Sequence, residues 1–146
     1  MPLSYVSEAV GSENPVTLCS VRLCVMKQLN LFSEDIESAL SANNRDVYSF
    51  DMLGEAAWTM ADADRYFNAY KNSLIAIGKN NKGNDIYKAD GISVKLSALH
   101  PTYNFMHKDR VISELVPKVL TLVEIAQSYN IGINIDAEEC ERLDIS

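Results

Sequence analysis

The sequence is poor in the features that mark several large classes of protein. It has no unbroken apolar run near the roughly 18 residues that a bilayer-spanning helix needs. The longest candidate, Val16–Met26, is short and is interrupted by Arg22. The N-terminus lacks the basic region and apolar core of a secretory signal. Basic residues are outnumbered, 13 Lys and Arg against 20 Asp and Glu, for a formal charge of −7. That balance argues against general affinity for nucleic acid or anionic membranes. Cysteine is limited to Cys19, Cys24 and Cys140. An odd number without paired C-x-x-C units is unlike a zinc site, and the three read as reduced, partly buried thiols of a cytoplasmic protein. His100 and His107 are the only histidines, and neither sits with a Ser or Cys in a nucleophile setting. Asn80–Asn84 holds a single glycine, so it is no phosphate cradle.

What is present fits a soluble domain. In 146 residues, 47% are hydrophobic and 23% charged, enough to bury a core. The chain is organised around Gly91–Pro101, GISVKLSALHP, a β-branched run with Lys95 at its centre. Ile92, Val94, Leu96 and Leu99 make it read as a buried strand, and Ser93, Lys95 and Ser97 share one side of it by period two. Tyr48–Ala57 repeats the arrangement with Asp51, and Ile131–Glu139 repeats it with Asp136. The intervals between these three charges are nearly equal and suit one strand, one helix and two loops.

The intervening segments support that reading. Ser33 is a helix N-cap candidate, followed by Glu34 and Asp35 in a first turn and by Ile36, Ala39 and Leu40 as a short apolar face. Thr59 and Asp62 have capping-box spacing, and Ala63, Tyr66, Phe67, Tyr70, Leu74 and Ile77 follow at helical spacing, with Gly78 as the stop. Lys79–Asp90 reads as a polar loop. A second long helix is expected from about His107 to Tyr129, with Val111, Ile112, Leu115, Val119, Leu122, Val123 and Ala126 inward and a bend or break at Pro117. Asn130–Gly132 ends it. Residues 1–32 are an N-terminal segment, loop or helix, although strand and helix fit Val16–Leu31 equally well. Residues 33–146 then hold strands at about 47–53, 91–97 and 131–137. The expected class is α/β: a partial (β/α)8 barrel, its first three β/α units preceded by a short helical segment. A full barrel needs about 250 residues, so either the sheet is small and open or the chain is the first part of something longer.

The charges carry the candidate chemistry. An unpaired ammonium in an apolar strand costs on the order of several kcal/mol, so Lys95 is either paired or placed for an anionic ligand. Its bland alternatives are snorkelling to water or bonding to Asp51 or Asp136. Asp51 and Glu55 face a ligand or bind a cation from elsewhere; alternatively Asp51 caps a turn and Glu55 is a solvated loop carboxylate. Asp136, Glu138 and Glu139 could assist proton transfer, bind a divalent metal or hold Lys95 by charge.

Taken together, YSFDMLGEAA, IAIGK, GISVKLSALHPTY and YNIGINIDAEECERLDIS resemble the proline dehydrogenase domain of bifunctional proline utilisation A flavoenzymes, over about residues 33–146. Residues 1–30 show no such likeness. The resemblance implies a (β/α)8 barrel that binds FAD non-covalently and oxidises L-proline to pyrroline-5-carboxylate, with electrons passing on to membrane quinone. It implies a cytoplasmic protein, or one peripheral at the inner membrane. By the resemblance Lys95 pairs with the proline carboxylate, and its ammonium persists because that acid group neutralises it. Asp136, with Ala137 beside it, lies against the flavin and the substrate ring. Glu55 pairs with an active-site arginine to close the pocket, and Asp51 is the acidic partner lower on the first strand. The family's paired arginines, its tyrosine over the substrate and most flavin contacts lie on later strands. A chain with these three strands alone is expected to be a piece of the enzyme, inactive by itself, with the remaining strands on a longer or separate chain. Two other readings stay open: a Schiff-base lyase using Lys95, and a non-enzymatic truncated product or interaction module.

Overall fold

In the segments Ser49–Met52 and Gly91–Val94, apolar and polar residues alternate, the pattern of a strand buried on one face only. The computed structural model describes residues 21–24, 31–33, 35–41, 47–52, 56–81 and 85–146, with the backbone alone at 21–24 and 31–33. Its strands are β1 (Val21–Cys24), β2 (Leu31–Ser33), β3 (Ser49–Met52), β4 (Gly91–Val94) and β5 (Ile133–Ile135). Its helices are α1 (Ile36–Ser41), α2 (Met60–Asn81) and α3 (Lys108–Tyr129). The sheet order is β2-β1-β3-β4-β5. β3, β4 and β5 are parallel, whereas β1 is antiparallel to both β2 and β3. The helix–strand alternation from α1 to β5 is the one expected from the sequence.

The core lies between the sheet and the two long helices. Phe50, Met52, Ile92 and Val94 pack against Tyr70, Leu74 and Ile77 of α2 and Val111, Leu115, Leu122 and Ala126 of α3. Burying each large apolar side chain of this kind contributes about 1.5–3 kcal/mol. α2 begins with the expected capping box: the Asp62 backbone N–H donates to Thr59 Oγ1 at 3.1 Å, and the Thr59 backbone N–H donates to Asp62 Oδ2 at 3.0 Å. Pro117 does not split α3, which is continuous from Lys108 to Tyr129. α3 ends on Asn130 in the left-handed region (φ 55°, ψ 47°). Asn81, at the end of α2, donates its Nδ2 to the carbonyls of Tyr129 and Asn130.

Several expectations need correction. The short helix ahead of the parallel strands is α1, but the described backbone before it is strand, neither loop nor helix. Ser33 ends β2, and the cap of α1 is Asp35, whose carboxylate accepts the Ser38 N–H at 2.7 Å. Gly78 is no stop: α2 runs on to Asn81, and a Cβ at position 78 would overlap the Tyr129 ring of α3. The glycine is there for close approach of two helices. Ile112 and Val123 are exposed, because the core-facing stripe of α3 runs through Val111, Leu115, Leu122 and Ala126, and these two lie off it. Cys140 is exposed; Cys19 and the side chain of Cys24 lie outside the described residues. Among the described residues, no helix is long and apolar enough to cross a membrane.

Candidate active site

Parallel strands bring their C-terminal ends to one side, where short loops can hold side chains together. β4 ends at Val94, and Lys95 follows in extended backbone (φ −94°, ψ 120°) before a 3-10 turn, Leu96–Ala98. The Lys95 backbone N–H donates to the buried hydroxyl of Tyr70 at 3.1 Å, tying the end of the strand to α2. Its ammonium reaches both neighbouring strands. Lys95 Nζ lies 2.6 Å from Asp51 Oδ1 and 3.0 Å from Asp136 Oδ2. Asp136 is fixed in turn by its own N–H, which donates to the Val94 carbonyl at 3.0 Å.

The electrostatics follow from this arrangement. Burial works against the charge on Lys95, but the hydrogen bonds and charges of Asp51 and Asp136 outweigh it and hold the ammonium above its ordinary range. The ammonium is thus neutralised from within the chain, and an external acid group is not what makes its burial possible. Two of the three Lys95 donors are used by carboxylates.

Beside this triad, residues Ala56, Lys95, Ser97, Ala137, Glu138, Glu139 and Arg142 line a cavity of about 350 Å³. Glu138 accepts the Ser97 backbone N–H at 2.9 Å and pairs with Arg142 at 2.7 Å. Arg142 also meets Glu139 at 2.9 Å and stacks over the Tyr103 ring. The Ala56 N–H donates to Ser97 Oγ at 3.3 Å. Ala56 has φ 49°, in the left-handed region that a non-glycine residue adopts only under constraint. Ser93, below Lys95, instead meets Ser49, with their hydroxyl oxygens 3.3 Å apart.

Of the residues singled out in the sequence, Lys95, Asp51 and Asp136 come together and Ala137 lines the adjoining cavity, while Glu55 lies outside the described residues. Glu138 and Glu139 pair with Arg142 rather than with Lys95, and no described cluster of three acidic, His or Cys side chains is placed to hold a metal. His100 is buried, bonded through Nε2 to Glu114 and through Nδ1 to Thr102. Sequence reasoning missed Arg142 and Tyr70. The spacing of Arg142, three and four residues after two glutamates, was the available signal; nothing local tells that Tyr70 touches Lys95.

A family model described as proline dehydrogenase matches residues 35–146. The chain belongs to the proline dehydrogenase family. The bifunctional protein PutA of Klebsiella aerogenes is 56% identical over 99 residues, 68% of this chain and 8% of that protein. PutA of Escherichia coli (strain K12) gives the same identity and coverage. A crystal structure of a Bradyrhizobium japonicum proline utilization A mutant superposes with a TM-score of 0.69 at 46% identity, covering 77% of this chain and 12% of that one. The chain therefore spans about a tenth of the PutA proteins it matches. Their proline dehydrogenase domain is a TIM barrel, and β3, β4 and β5 correspond to parallel strands of such a barrel.

Proposed function

We propose that this chain supplies one wall of a proline dehydrogenase site, in which Lys95, Asp51 and Asp136 receive L-proline for oxidation to pyrroline-5-carboxylate. The observation that carries the reading is the Lys95 ammonium held between Asp51 and Asp136 at the C-terminal ends of three parallel strands. The third Lys95 donor is available to a proline carboxylate. Loss of hydride from the ring carbon next to nitrogen leaves positive charge shared between that carbon and nitrogen. Asp136, with Asp51 behind Lys95, stabilises this charge where it develops. Two carboxylates, Glu138 and Glu139, and two cations, Lys95 and Arg142, line the cavity. The complete barrel adds further cations for the acid group from its later strands.

The family is flavin-dependent, and a bound flavin would supply the hydride acceptor. The described residues fit only part of FAD. The cavity of about 350 Å³ is too small to enclose it. Arg142, a cation close to the cavity, is already committed to Glu138 and Glu139. Asp136 and Ala137 offer one wall against the flavin, and the chain alone is expected to purify without stoichiometric flavin absorbance. Quinone as the final electron acceptor, and a cytoplasmic or membrane-peripheral place, belong to the same reading of the complete enzyme.

A Schiff-base lyase is disfavoured on physical grounds. Such a lysine must lose its proton to attack a carbonyl, and Asp51 and Asp136 oppose that loss. The experiment is an NMR titration of the chain, observing the Lys95 ammonium. L-Proline shifts that signal and pyrrolidine, which lacks the carboxylate, does not. Absence of any shift with L-proline refutes the role of Lys95.

A further inference from the structure

A closed barrel gives every strand a parallel neighbour on each edge. β3 has one on a single edge, where it pairs with β4; the other edge is taken by β1, running antiparallel. The backbone groups can be followed one by one. The Tyr48 carbonyl accepts the Gly91 N–H at 2.8 Å, and the Tyr48 N–H donates to the Asp90 carboxylate at 2.9 Å, so residue 48 faces β4. Backbone groups of successive strand residues point to opposite edges. Phe50 and Met52 therefore also face β4, while Ser49 and Asp51 face β1, opposite Cys24 and Arg22. β2 lies antiparallel along the far edge of β1. The two strands form a strap where a closing strand belongs, and the strap holds the backbone of Asp51, whose side chain binds Lys95.

We infer that the β3 edge is a strand-docking surface which the β1–β2 pair covers, and that its partner is a parallel β-strand from the remainder of a proline dehydrogenase barrel. The partner cannot reach Ser49 and Asp51 until β1 leaves. The direction of β1 points to this: it blocks with the wrong polarity the one edge of β3 that barrel closure requires. Shortness points the same way, since β1 has four residues and β2 three, so few ladder bonds hold the strap in place. A bare strand edge is a template for unwanted pairing, and the strap covers that of β3, leaving the three-residue β2 as the edge in its place. This inference rests on the fold and is independent of the chemistry proposed for Lys95.

Amide hydrogen exchange on the whole chain tests it. The Ser49 and Asp51 amides exchange slowly. Arg22→Pro removes the donor aimed at Asp51 and speeds both by roughly tenfold or more, while Phe50 and Met52 keep their protection. Arg22→Ala, which keeps the donor, changes none of the four. The partner probe is a synthetic peptide copying the last barrel strand of Escherichia coli PutA. In excess it restores protection at Ser49 and Asp51 of the Arg22→Pro chain, and in the unaltered chain it strips protection from Val21–Cys24. Fast exchange at Ser49 and Asp51 in the unaltered chain would mean that no strap exists. A peptide that leaves both chains unchanged would mean that the edge does not receive a strand. Should Arg22→Pro lose protection throughout, including Ile92, the peptide's effect on Val21–Cys24 of the unaltered chain decides alone.

Discussion

The two faces of the β3–β4–β5 sheet are made by alternate residues of the same short strands, yet they obey different rules. Toward the helices stand Phe50, Met52, Ile92 and Val94, each at most 2% exposed. The opposite face is polar throughout: Ser49, Asp51, Ser93 and Asn134, with Lys95 and Asp136 just past the strand ends. The first face holds the fold by removing apolar surface from water. The second carries the candidate site, its charges satisfied by one another. The barrels of this architecture usually fill their interior with branched aliphatic residues, and the polar residues on this face depart from that rule.

If that division is right, substitutions on the two faces differ in kind. The largest effect belongs to Phe50→Ala, which opens a cavity in the core and lowers unfolding free energy by about 3–5 kcal/mol, read by urea denaturation. Next comes alkaline pH, acting through Tyr70, which joins the helix layer to the end of β4. Its phenol is pushed from 10.0 up to about 12, chiefly by burial, with the Lys95 hydrogen bond and charge opposing. The folded chain therefore keeps that proton longer than the unfolded chain. Stability is unaffected below about pH 10 and falls between about pH 10 and 12, by roughly 2–3 kcal/mol. Lys95, also held above its ordinary range, adds a loss of the same sign that begins near the ordinary lysine value of 10.5, inside the tyrosine window, and continues above it. Denaturant midpoints compared with tyrosinate absorbance separate the two contributions.

Gly78→Ala should cost about 1–3 kcal/mol, because the added methyl overlaps the Tyr129 ring. Calorimetry of the variant measures it. On the open face, Lys95→Met leaves Asp51 and Asp136 without their counter-charge. Both are partly reached by water, so the loss is smaller, about 1–2 kcal/mol, and L-proline should no longer shift the backbone amide of Asp136 in the NMR spectrum of the variant. Ser93→Ala should lie within about 0.5 kcal/mol of the unaltered chain. A large effect there would erase the distinction between the faces.

Much of this contrast was legible in single residues. Alternation in SFDM and GISV showed which side chains part company, and the Thr59–Asp62 spacing located the start of α2, because both are local rules. Gly78 misled for a reason: glycine ends helices and also admits close neighbours, and only the position of Tyr129 separates the two. Ile112 and Val123 misled because an apolar residue on a helix does not say which neighbour it meets.

The amino-acid order by itself determined the strand–helix rhythm, the family and the identity of the three charged strand residues, since these depend on spacing and residue type. Only the tertiary structure decided that Lys95 is neutralised by Asp51 and Asp136 together, that Glu138 turns to Arg142, and that β1 covers the edge of β3. Those are choices of partner among groups distant in the chain, and they are settled by which strands lie side by side and in which direction.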